Sequence, residues 1–162
     1  MLILALGVAP DGSVTVGGVF DGAHDLMPGP AEHRVTADGY RTFVTQLDAR
    51  GVPRWAWASL DHEQRLAALI PRGTEVLVVE SGQMTRIDAY GTVIETARFS
   101  VPMRDGVGEY PDIHVSGAVL DPAGRVNLVA TLPDAYPEVS LHLFGDRPYL
   151  GPRGPVLATP IW

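Results

Sequence analysis

The stretch Phe43-Val44-Thr45-Gln46-Leu47-Asp48-Ala49-Arg50-Gly51 returns 40 residues later as Gln83-Met84-Thr85-Arg86-Ile87-Asp88-Ala89-Tyr90-Gly91. Thr45 matches Thr85, Leu47 matches Ile87, and Asp48-Ala49-x-Gly51 matches Asp88-Ala89-x-Gly91. Self-similarity at that period marks stacked or radially arranged units, each burying its apolar face against a neighbour. A chain with this pattern is constrained to a repeat architecture before any other residue is considered.

A second recurring signal agrees with the first. Pro10-Asp11-Gly12, Pro71-Arg72-Gly73 and Pro122-Ala123-Gly124 each separate two apolar runs. Pro presets φ at the first central position of a turn and Gly supplies a positive φ, so each triplet predicts a hairpin. The flanking strands are Leu2 to Ala9 and Ser13 to Phe20, Arg65 to Ile70 and Thr74 to Glu80, and Ile113 to Asp121 and Arg125 to Leu132. Asp-Ala-x-Gly predicts the second hairpin of each unit, joining Phe43–Asp48 to Pro53–Ala58 and Gln83–Asp88 to Thr92–Ala97. The third copy is worn: Val139 to Phe144, a Gly- and Pro-rich loop with only Gly145-Asp146 echoing the turn, then Pro155 to Trp162. Residues 61–70 carry some helix signals, but the repeat register assigns strand from about Arg65. The 18 Gly and 14 Pro suit many short strands joined by tight turns.

The expected fold is therefore all-β and propeller-type, with three four-stranded antiparallel blades at about 1–60, 61–104 and 105–162. The insert Asp21 to Arg41 stretches the first blade and Pro133 to Glu138 the third; both are expected as rim loops.

Composition narrows the functional classes. A formal charge of −7 disfavours a nucleic-acid backbone as main partner. With no Cys, no disulfide or thiolate site is available. All 12 basic residues are Arg, which reads as coding bias. The apolar start Met1 to Pro10 has no basic flank and is too short to span a bilayer, so it reads as a buried strand and not as a signal or a membrane insertion.

Residues 14–58 resemble one SBBP-type bacterial β-propeller repeat. The match runs through Val16-Gly17-Gly18-Val19-Phe20, Asp25-Leu26-Met27-Pro28-Gly29-Pro30, Val35-Thr36-Ala37-Asp38-Gly39, Phe43 to Gly51, and Trp55-Ala56. Residues 65–98 match loosely. Arg41-Thr42 replaces the acidic residue common before the Phe-Val strand, and Tyr40 replaces the second Gly of the loop turn. The resemblance implies a propeller in an exported or cell-surface setting, and it implies no reaction.

Three blades leave two uncovered faces. Each blade is complete within itself, so the expected partner is a second copy that closes a six-bladed ring as a homodimer; the rival expectations are closure by a different polypeptide or by further sequence of a longer chain. The expected function is a non-catalytic binding or assembly module, and no cofactor is implied. A lectin-like reading would use Trp57 and Tyr90 as stacking platforms for a glycan or other small molecule. A metal-dependent hydrolase or lyase would draw on His24 and Asp25, near Asp21. Asp48, Gly51, Asp88 and Gly91 read as structural turns, since an Asp opening a hairpin accepts from the turn amides. Trp55 is expected between blades, and Trp162 as an anchor of the last strand. His33, His62, His114 and His142 are scattered. Asp112, His114 and Ser116 share one strand face but lack a nucleophile elbow.

Overall fold

The computed structural model describes residues 1–27, 29, 32–61, 65–98, 114–120, 126–131, 139–141, 149–151 and 156–158. The Pro122-Ala123-Gly124 turn, the Pro133–Glu138 insert, Asp112, His62, His142, Gly145-Asp146 and Trp162 lie outside them. Every regular element described is a strand, and every strand pairing is antiparallel.

Strands β1 (Leu2–Val8), β2 (Val14–Asp25), β3 (Arg34–Leu47) and β4 (Pro53–Ala58) form one four-stranded meander in sequence order. Strands β5 (Leu66–Arg72), β6 (Glu75–Glu80), β7 (Gln83–Ile87) and β8 (Val93–Arg98) form a second. In the last third, β9 (His114–Leu120) pairs with β10 (Val126–Thr131), whose other edge pairs with β13 (Val156–Ala158). Among the described residues the short strands β11 (Val139–Leu141) and β12 (Tyr149–Gly151) pair only with each other. This departs from the four-stranded meander expected for the third unit. The sequence after β11 lacks the Asp-Ala-x-Gly motif that makes the second hairpin of the first two units.

The sheets stack face to face. Val76-Leu77-Val78-Val79 is an unbroken apolar run, as a strand covered on both faces requires. Val76 and Val78, with Leu66, Leu69 and Ile87, pack against Val44 and Trp55 of the first sheet. Leu77 and Val79, with Ile70 and Met84, pack against Val115, Val126 and Leu128 of the third. Gly17 lets this stack close up, because a Cβ there would stand 2.7 Å from Leu69 Cδ1. The first strands β1, β5 and β9 lie side by side in that order.

Two turns depart from expectation. Pro71 and Arg72 lie inside β5, and the chain reverses at Gly73-Thr74, with Arg72 opposite Glu75. β5 is an edge strand, where a residue without an N–H is tolerated. The Asp21–Arg41 segment is likewise not a rim loop. β2 and β3 run on through it, paired from Gly22↔Ala37 to Asp25↔Arg34, beyond an irregularity between Phe20 and Gly22. There the hairpin turns back over its own sheet. Thr45 Oγ1 donates to the Leu26 carbonyl at 2.8 Å, and Phe20, Leu26, Ala37 and Phe43 form a small separate core.

Candidate functional site

The returned hairpin stops short of the outer edge of its sheet and leaves an open cleft of about 440 Å³. One wall is Ala56 to Leu60, the end of β4 and the residues after it; the other is His33, Val35 and Thr36 of the hairpin. Phe20 and Arg41 complete the lining. Alternation along β4 explains which groups arrive there. Ala56 and Ala58 pair with Thr45 and Phe43 on the face the hairpin covers, whereas Trp55 and Trp57 pair with Gln46 and Val44 on the face toward the second sheet. Trp55 is buried in that second interface. Trp57 packs at its margin and also lines the cleft.

Of the residues singled out in the sequence, Trp57 alone among Trp57, Tyr90, His24 and Asp25 borders the cleft. Tyr90 is 86% exposed at the tip of the β7–β8 turn. His24 and Asp25 are consecutive on the hairpin and hold different parts of it. The His24 ring meets Phe20 edge-on at 6.0 Å, and its Nε2 lies 3.0 Å from the Asp21 carbonyl oxygen. Asp25 Oδ1 accepts from the amides of His33 (2.9 Å) and Met27 (3.0 Å), closing the hairpin tip. Those two amides, His33 first, hold the Asp25 carboxyl below its ordinary range. One of its two carboxylate oxygens is thus engaged by the backbone, and among the described residues no three His, Asp or Glu side chains are grouped to hold a metal ion. Ser116, from the imagined triad, donates its hydroxyl to the Val129 carbonyl at 3.2 Å.

The two repeated aspartates occupy one geometry twice. Asp48 Oδ1 accepts from the amides of Arg50 (2.8 Å) and Val52 (2.9 Å). Asp88 Oδ1 accepts from those of Tyr90 (2.8 Å) and Thr92 (2.9 Å). Each turn is closed by the Gly amide donating to the Asp carbonyl, with Gly51 at φ 82° and Gly91 at φ 83°. This is the three-residue hairpin with a left-handed third position. Pro10-Asp11-Gly12 repeats this backbone turn with Ala9 in the opening place, its carbonyl accepting from Gly12 at φ 79°; Asp11 sits inside the loop, and its Oδ1 accepts from the Ser13 amide at 2.9 Å and the Ser13 hydroxyl at 2.6 Å. The Val52 amide is the main cause that lowers the Asp48 pKa; for Asp11 it is the Ser13 hydroxyl.

Two polar features escaped the sequence reading. Glu80 at the end of β6 is fully buried, with Gln83 Nε2 donating to its Oε2 at 2.7 Å and no partner for Oε1. Arg86 bridges Glu75 and Glu95 across three strands, each at 3.1 Å, and this pairing, Glu75 first, raises its pKa further. Glu80 closes the apolar run Val76–Val79, the one signal that its side chain could be drawn inside. A comparison with protein-family models and with curated proteins finds no match to this chain.

Proposed function

We propose that the chain is a non-catalytic assembly module, a three-unit arc of a propeller that a second copy closes into a ring of about six blades. The observation that carries this reading is the exposed aliphatic surface at both ends of the stack. On the first sheet Leu6 (63% exposed) and Val8 (61%) stand beside Val16 and Val14 on the face turned away from the second sheet. On the third sheet Val119 (64%) and Val129 (44%) stand on the face turned away from the second. Each surface is what an adjoining sheet covers inside the stack, where apolar faces meet apolar faces. The side-by-side order of β1, β5 and β9 suits an arc whose first strands line an axis. The hairpin over Phe43, Ala56 and Ala58 confines the contact on the first sheet to β1 and β2.

Light scattering through a dilution series tests the proposal. The parent chain is expected at twice its chain mass at micromolar concentration. Leu6→Glu and Val119→Glu, each burying an unpaired charge in the contact, are expected to weaken association by about 100-fold, roughly 3 kcal/mol. A parent that stays at single-chain mass at every concentration overturns the ring.

A further inference from the structure

We propose that the cleft between β4 and the returned hairpin is a strand-addition site for an extended peptide segment. The warrant is the direction of backbone groups on its two walls. The Ser59 amide donates to the Thr42 carbonyl at 2.9 Å, which sets the parity of the β3–β4 ladder. Trp57 and Trp55 therefore exchange bonds with Val44 and Gln46, and Ala56 and Ala58 turn their N–H and C=O away from β3. On the opposite wall the Leu26 amide donates to the His33 carbonyl at 3.0 Å. By the same alternation Thr36 turns its backbone groups away from β2. Among the described residues none of these outward groups has a backbone partner.

Two strand edges thus border one cleft: β4 presents a donor and an acceptor at Ala56 and again at Ala58, about 7 Å apart, and the hairpin presents one such pair at Thr36. An extended backbone answers that spacing; a sugar ring does not. The side chains fit the same occupant. Ala56 and Ala58 are small and keep the β4 wall open, the half-buried Val35 offers apolar contact to a side chain of the segment, and Trp57 borders the edge. This site is separate from the β1–β2 surface assigned to ring closure, so either proposal can fail alone.

The test uses the full chain and a displayed library of random peptides about ten residues long. Enriched peptides are synthesised and titrated against the parent and against Ala58→Pro. Proline at 58 deletes an N–H that points out of the sheet and leaves the ladder to β3 intact, a substitution edge strands accept. Enriched peptides of alternating apolar sequence are expected to bind Ala58→Pro at least 10-fold more weakly, with its circular dichroism unchanged. They are also expected to slow amide exchange at Ala56 and Ala58 in the parent, a readout that does not depend on the variant folding. No enrichment, equal binding to Ala58→Pro with no slowing of exchange, or simple sugars shifting tryptophan fluorescence while no peptide enriches would each overturn the assignment.

Discussion

Asp48 and Asp88 show how one side chain serves a repeat. One oxygen of each carboxylate gathers two amides that the tight turn would otherwise leave to solvent, which gives the repeated residue a role in the backbone of its turn. The glycines that end these turns are alike in φ and different in surroundings. A Cβ on Gly51 meets open space, whereas one on Gly91 would stand 2.9 Å from the Trp55 Cβ. Gly51→Ala is therefore expected to cost about 1 kcal/mol, the price of a left-handed alanine. Gly91→Ala is expected to cost about 1–3 kcal/mol more, since the Trp55 backbone must give way. Urea unfolding of both variants measures the difference; equal losses would remove the contact from the account. This turn was legible in the sequence because its chemistry is local. The contact with Trp55 was not, because it joins different units.

At the scale of elements, the β2–β3 hairpin is the largest departure from expectation. Its residues are punctuated by Gly and Pro and read as a loop, yet Gly22–Asp25 and Arg34–Ala37 stay paired beyond one irregularity in the ladder. What turns it back is the apolar set Phe20, Leu26, Ala37 and Phe43, which buries itself only when the hairpin lies on its own sheet. Those residues lie far apart in sequence and share no single period. The Thr45 hydroxyl clips the fold by donating to the Leu26 carbonyl. Thr45→Val keeps the shape and leaves that carbonyl unpaired, at an expected cost of about 1–3 kcal/mol. Hydrogen exchange should show the loss first at the amides of Leu26 and His33, ahead of β6. Uniform loss across all strands would mean the hairpin does not open as a unit.

At the scale of the whole molecule, stacking places a carboxyl at the seam between two sheets. Glu80 faces the first sheet, with Thr42, Ser59 and Asp61 around it, Asp61 being paired with Arg98 at 3.3 Å, and with Gln83 of its own sheet. Burial raises its pKa above the ordinary Glu value, more than the hydrogen bonds from Gln83 and Thr42 lower it. A raised carboxyl pKa contributes stability that is fully present below the unfolded value and is lost as pH rises through the folded value. Between those two values the slope approaches about 1.4 kcal/mol per pH unit. Asp11, Asp25 and Asp48, with lowered pKa values, act in the opposite sense: their contribution is present above the ordinary Asp value and lost as pH falls through the lowered one. Thermal melts of Glu80→Gln against the parent from pH 4 to pH 8 are expected to converge at the acid end and to favour the variant increasingly as pH rises. A constant gap across that range would show that Glu80 titrates alike in both states.

The residues alone determined the all-β class, most of the described strand positions and the turns at Pro10-Asp11-Gly12, Asp48–Gly51 and Asp88–Gly91, because those follow from alternation, φ preference and hydrogen bonds within a few residues. β4 and β7 can be read directly, and β6 announces its two-sided burial through four consecutive aliphatics. Tertiary structure decided the rest. It drew Glu80 inside, folded one hairpin back over its own sheet, gave β10 a distant edge partner in β13, and left Trp57 beside a cleft while Tyr90 stands in solvent. Each of these depends on which faces meet, and burial is shared between surfaces far apart in the chain, so no local pattern records it.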